Sequence, residues 1–167
     1  MTRRGVSKRM VLFWTVGAIA ATCIGSAAWA GPEDEVHARF QQWMVAFNSN
    51  DADKLASIYD QNARLLSTLG NEKPLDGRES IRAYFAAVFK QGRNSVALDH
   101  DDAIKILGTS AAIETGYYHF DIPGADGKLQ TLISRYTFAF EKKDGAWTIV
   151  HHHSSRVPAL TATSTAR

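Results

Sequence analysis

The chain has 167 residues, of which 45% are apolar and 22% are charged. This length and composition fit one domain with a hydrophobic core and exclude a disordered or low-complexity chain. All 17 acidic residues follow residue 30, as do 15 of the 19 Lys and Arg residues, so this part carries a net charge of −2. Because no basic stripe remains there, nucleic-acid binding is not expected.

Residues 1–30 have the pattern of a cleavable signal peptide. A basic segment ending at Arg9 precedes an apolar run over residues 10–24, and Ala28-Trp29-Ala30 supplies the small residues that signal peptidase recognises. We therefore predict a periplasmic or secreted protein that has no membrane contact after cleavage. An uncleaved anchor and a lipoprotein modified at Cys23 are the alternatives. Since Cys23 is the only cysteine, the mature chain cannot form an internal disulfide.

After residue 31, the apolar residues first recur at the spacing of an α-helix. A helix predicted over residues 33–48 has one apolar stripe, formed by Val36, Phe40, Trp43, Met44 and Phe47. Asp51 is suited to cap a short second helix. A third helix is predicted to open at Asp76, because Glu79 follows it at the spacing of a capping box. A short strand over residues 63–67 separates the second and third helices.

From Ser95 onward, apolar residues recur at every second position, which is the period of a β-strand. Four strands are predicted at residues 95–107, 111–122, 128–141 and 146–156, joined by turn sequences into an antiparallel meander. Helices followed by a meander indicate an α+β fold class: a cone-shaped barrel in which a curved antiparallel sheet wraps around three N-terminal helices. We assign residues 31–158 to this domain and residues 159–167 to a flexible tail.

The order of these elements resembles the nuclear transport factor 2-like superfamily, which includes the SnoaL-like polyketide cyclases. The segments RYTFAF and KDGAWTIVHHHSS, at residues 135–140 and 143–155, are similar to the SgcJ/EcaC group and to the association domain of calcium/calmodulin-dependent protein kinase II. The resemblance implies a conical pocket between helices and sheet and a dimer through the outer sheet face. It implies no single activity, because this fold hosts isomerases, dehydratases, cyclases and non-catalytic hubs.

The residues on which two activities of the superfamily depend are absent from the corresponding positions of this chain. The resemblance places the base of a ketosteroid isomerase at Ser67, and the strand around Arg135 offers no carboxylate for its oxyanion hole. The arginines with which the hub domain holds carboxylates correspond to Ser154 and Phe138. The pocket is therefore expected to be less cationic and more aromatic than that of the hub.

Three consecutive histidines raise the question of a metal site. On a strand, His151 and His153 share one face and His152 faces the other, so at most two can join one site. A zinc site needs a third ligand, and no spacing selects one. We therefore predict no metal and no cofactor. His151 and His153 are expected on the outer face with Trp147 and Ile149, a set of large side chains that favours a dimer contact.

The predicted function is the binding of a largely apolar or aromatic small molecule by an exported homodimer. The residues expected to contact this ligand are Tyr59, Tyr84, Tyr136, His152 and Ser154, with Arg156 near the rim. One alternative is a SnoaL-like or SgcJ-like enzyme (isomerase, cyclase or oxidoreductase-associated) that uses His152 as acid/base. The other is a purely structural dimerisation or association module. A pocket filled by large side chains would favour the module, and a deep pocket with a hydrogen-bonded His152 would favour the enzyme.

Overall fold

The computed structural model describes residues 31–69, 73–92 and 94–158. These residues form the helices and strands α1 (Pro32–Asn48), α2 (Ala52–Ala56), β1 (Tyr59–Leu66), β2 (Leu75–Asp76), α3 (Arg78–Lys90), β3 (Ser95–Leu107), β4 (Ala111–Pro123), β5 (Leu129–Lys143) and β6 (Ala146–Arg156). The predicted α+β fold is confirmed. The predicted signal peptide and C-terminal tail lie outside the described residues. No helix in the described ranges is long and apolar enough to cross a membrane.

One mixed sheet of six strands, in the order β2-β1-β6-β5-β4-β3, carries the domain. Its last four strands form the predicted antiparallel meander. β1 lies parallel to β6, with Leu65 opposite His152. No turn joins these two strands, so only packing of distant parts of the chain produces their pairing. The sheet is open, with β2 and β3 at its edges.

The core lies between the three helices and the concave face of the sheet. Tyr136, Phe138 and Phe140 of β5 are buried, as their alternation predicts. Trp43 of α1 is fully buried, and its ring packs against Phe138 at a centroid distance of 5.1 Å. Aromatic side chains from both layers thus fill the space that the cone encloses.

Helix α3 begins later than the sequence predicts, and the capping box at Asp76 does not form. Asp76 belongs to β2, and its carboxylate pairs with Arg64 Nε at 3.2 Å. Gly77 is the N-cap residue instead, with a φ of 84° that favours glycine. Its N–H donates to the Ala63 carbonyl at 2.8 Å. Because the Asp76 side chain is paired with Arg64 of the neighbouring strand, it is not available to cap the helix.

A bulge in β6 overturns the prediction that Trp147 and Ile149 lie on the outer face. Both are buried in the core, with exposed fractions of 4% and 0%. Ile149 pairs with Phe140 of β5, and His151 pairs with the adjacent Ala139. Val150 therefore has no partner on β5 and is the extra residue of a bulge. The alternation of faces therefore shifts by one, and His152 is buried on the same side as Ile149.

Candidate ligand-binding site

An open vestibule lies where α3 and β6 end. It has a volume of about 300 Å³. Leu69, Val88, Ile122 and Leu132 give it apolar walls, and Thr68 and Arg156 give it polar groups. We use the name vestibule for the space between these six residues. Arg156, which is predicted near the rim of the ligand pocket, is exposed at the vestibule.

A second space, the inner cavity, lies deeper between α1, α3 and the sheet. Among its lining residues are Ser67, Tyr84, Tyr118, His152 and Ser154. Its volume is about 10 Å³, roughly the minimum that a single water molecule needs. The deep pocket implied by the resemblance is therefore almost filled by aromatic side chains.

One pair of hydroxyl groups, Thr68 and Ser154, forms a neck between the vestibule and the inner cavity, and a second pair, Ser67 and Tyr84, lines the inner cavity. Thr68, which lines both spaces, is hydrogen-bonded through Oγ1 to Ser154 Oγ. Ser67 Oγ is hydrogen-bonded to Tyr84 Oη and also accepts from the Leu69 N–H at 3.0 Å. Burial raises the pKa of Tyr84 to about 12, although the bond to Ser67 opposes this. All four hydroxyl groups are therefore neutral hydrogen-bonding groups near pH 7.

His152 is held at both ring nitrogens. Its Nδ1 lies 2.9 Å from Tyr59 Oη, and its Nε2 lies 3.2 Å from Tyr118 Oη. Trp43 Nε1–H donates to the same Tyr59 oxygen at 2.8 Å, and the imidazole stacks on Phe138 at 3.9 Å. Burial lowers the pKa of His152 well below its ordinary value, and the neighbouring histidines act in the same direction. The imidazole is therefore neutral at pH 7.

The structure brings four of the six predicted contact residues to these spaces. Tyr84, His152 and Ser154 line the inner cavity, and Arg156 lines the vestibule. Tyr59 and Tyr136 line neither space. Tyr59 supports His152, while the buried Tyr136 hydroxyl has no hydrogen-bond partner among the described residues. Whether any of the six contacts a ligand stays a prediction.

Sequence reasoning missed Thr68 and Tyr118. Tyr118 lies two residues before Phe120 on the buried face of β4, so strict alternation could have identified it. Thr68 follows the end of β1 in an irregular segment, where no periodicity indicates the direction of a side chain. Its position at the neck could not have been read from the sequence.

The described residues that line the two spaces include no acidic side chain. Arg156 is the charged group among them, and His152 is the ionisable group nearest to the core. A base of the ketosteroid isomerase type is a carboxylate beside an apolar pocket. The arrangement can thus bind and orient a polar group, but the described lining offers no carboxylate for proton abstraction.

The open, curved sheet around three helices defines an α+β domain of the nuclear transport factor 2-like type, with a vestibule at the mouth of a filled cone. Residues 32–158 match the family described as the calcium/calmodulin dependent protein kinase II association domain. The chain belongs to this family. None of the curated proteins compared with the chain is similar to it.

Solved structures agree with this assignment. A protein from Xanthomonas campestris, described as a candidate association domain of this kind, is 31% identical, with a TM-score of 0.70 over 78% of this chain and 91% of that one. A nuclear transport factor 2-like superfamily protein from Salmonella enterica is 18% identical, with a TM-score of 0.68 over 79% and 95%. A ketosteroid isomerase-like protein from Erwinia carotovora is 14% identical, with a TM-score of 0.64 over 76% and 97%. The last two share the fold.

Proposed function

We propose that this protein is an exported homodimer that binds a small, largely apolar or aromatic molecule in the vestibule. The observation that carries the proposal is the combination of apolar walls with Thr68 and Arg156 in an open space of about 300 Å³. This volume is at the lower end of the range for small-molecule sites, and such sites combine apolar walls with a few polar groups.

The ligand's apolar body fits the vestibule better than the inner cavity. A cavity of about 10 Å³ holds no organic molecule unless the neck opens. Tyr84, His152 and Ser154 would therefore meet only a polar group that reaches past Thr68. Tyr59 and Tyr136 would act behind them, by keeping the aromatic floor of the site in place.

The dimer is proposed through the outer face of the sheet. A groove of about 330 Å³ crosses this face between Tyr117, Arg135 and His153. Ile133 lies on the same face with 47% of its surface exposed. Trp147 and Ile149 no longer support the proposal, since both are in the core. The name of the matched family, an association domain, favours self-assembly.

An association module without a ligand is the second candidate, and the filled inner cavity favours it. An enzyme that uses His152 as acid/base is less well supported. Both nitrogens of this imidazole already have hydroxyl partners, and no carboxylate lines the cavity within the described residues. Export rests on the signal-peptide pattern of residues 1–30.

Filling the vestibule tests the binding proposal. Indane, a compact apolar probe, should cause saturable NMR shifts at vestibule residues. Leu132→Trp places a bulky ring in the vestibule and should abolish these shifts, whereas Ile133→Trp adds the same ring on the opposite face of β5 and should preserve them. Absence of saturable indane binding to the wild-type protein, or equal loss in both variants, contradicts the proposal.

A further inference from the structure

The charged side chains of the outer sheet face are divided between its two ends. At the β3 end, His100 Nδ1 lies 2.7 Å from the Asp99 carboxylate, and Nε2 lies 3.8 Å from that of Asp101. The imidazole stacks on Tyr117 at a centroid distance of 4.5 Å, which places this group on the outer face. Asp101 is exposed and lines the groove that crosses the face, here called the outer groove. The β3 end of the outer groove is therefore acidic.

The opposite end of the outer groove is basic. It is lined there by Arg135 of β5 and His153 of β6. Arg135 Nε donates to Ser155 Oγ at 3.1 Å, which holds the guanidinium on the outer face. The ion pairs formed among residues 31–69, 73–92 and 94–158 include neither Arg135 nor His153. The positive charge at this end is therefore available to a partner.

Small uncharged side chains lie between the two charged ends. Thr115 of β4 pairs with Thr137 of β5, and the next pair on the same face is Ile113 with Ala139. Because stacked sheets lie about 10 Å apart, short side chains at the centre allow two copies of this face to approach closely. The outer face is thus suited to pack against a second copy of itself, with its charges kept to the two ends.

The strand pairing shows which residues share a row across the sheet. Ala103, Thr115, Thr137 and His153 are successive partners on β3, β4, β5 and β6. A two-fold axis that lies between two packed faces and runs along the strands keeps each residue in its row and exchanges the two sides of the axis. With the axis between β4 and β5, Thr115 faces the partner's Thr137, and β3 faces the partner's β6. Each contact then occurs twice in the dimer.

We propose that the dimer has this axis, so that the acidic end of the outer groove in one copy contacts the basic end in the other. This inference rests on the proposed homodimer and deepens it by naming the symmetry and the contacts. Opposite charges meet in this arrangement, whereas an axis across the strands would place β3 over β3 and bring acid against acid. Tyr117 pairs with Arg135 across the same axis, so the ring of one copy faces the guanidinium of the other, as a cation–π contact requires.

Cysteine cross-linking tests the axis directly, because residues 31–167 contain no cysteine. Ala103→Cys and His153→Cys proteins are prepared separately, mixed, allowed to exchange subunits and treated with a short bismaleimide. The mixture should give a covalent dimer on a denaturing gel. Neither variant alone should do so, since three strand spacings of about 4.8 Å then separate the two cysteines. Cross-linking of Ala103→Cys by itself, or no cross-link in any sample of a dimeric protein, overturns the inference and leaves the dimer proposal standing.

Exchange of charges tests the contact independently, with the dimer dissociation constant measured by analytical ultracentrifugation. Asp101→Arg should weaken the dimer about tenfold, because like charges then meet at both copies of the contact. Adding Arg135→Glu to this variant should restore most of the affinity. Asp144→Arg is the matched control, since Asp144 is also exposed and has a similar φ, 50° against 54°, but does not line the outer groove. Equal weakening by the two arginine variants, or no recovery in the double variant, contradicts the inference. If the wild-type protein is a monomer, the proposed dimer fails, and this inference fails with it.

Discussion

A buried carboxyl group outside the ligand site is expected to make the stability of the folded protein depend on pH. Glu114 of β4 is fully buried, with Oε1 3.2 Å from His37 Nδ1 and with Oε2 unpartnered among the described residues. Burial raises the pKa of Glu114 from 4.5 to about 8, and the charge of Asp102 adds to this. The folded protein therefore holds this group as a neutral acid at pH 7.

The sign of the pH effect follows from this raised pKa. Between pH 4.5 and about 8 the folded protein binds a proton that the unfolded chain has lost. The contribution of Glu114 to stability is therefore greatest below pH 4.5 and falls as pH rises through this window, by up to about 1.4 kcal/mol per pH unit. Across the whole window the loss from Glu114 has a ceiling of about 5 kcal/mol. Glu114→Gln cannot ionise and should lack this loss.

Urea unfolding of wild type and Glu114→Gln at several pH values from 4.5 to 9 measures the effect. The difference in unfolding free energy between the two proteins should change by several kcal/mol, with the variant gaining as pH rises. Glu33→Gln, which changes an exposed carboxyl, is the control and should show a nearly constant difference. A constant difference for Glu114→Gln would refute the reasoning and indicate a carboxylate that a protonated His37 keeps ionised.

Three further predictions concern the proposed state of the protein. N-terminal sequencing of the exported protein should begin at Gly31; a chain that begins at Met1 or at a modified Cys23 contradicts cleavage after Ala30. Light scattering should give the mass of a dimer, and Arg135→Glu, in the outer groove, should shift it towards a monomer, whereas a wild-type monomer at tens of micromolar excludes the dimer. Chelation should leave the melting temperature unchanged, and a fall of several degrees that zinc alone restores would establish a metal site.

The sequence by itself determined the elements whose signals are local. The apolar stripe of α1 and the meander from β3 to β6 were predictable, because helical and strand periods are properties of neighbouring residues. The burial of Tyr136 and Phe138 followed from the same alternation. Asp51 caps α2 as predicted, accepting from the N–H groups of Asp53 and Lys54, because a cap needs only the residues of one turn.

Only the tertiary structure decided how the candidate site is built. The bond between Tyr59 and His152 joins residues 93 positions apart and depends on the parallel pairing of β1 with β6, which no turn encodes. The bulge at Val150 puts Trp147 and Ile149 on the same face as His152, because one inserted residue reverses the phase of alternation between the residues before it and those after it. The volume left inside the cone depends on how aromatic side chains from separate elements interlock. Periodicity shows which side chains point inward, but only their packing decides whether space remains between them.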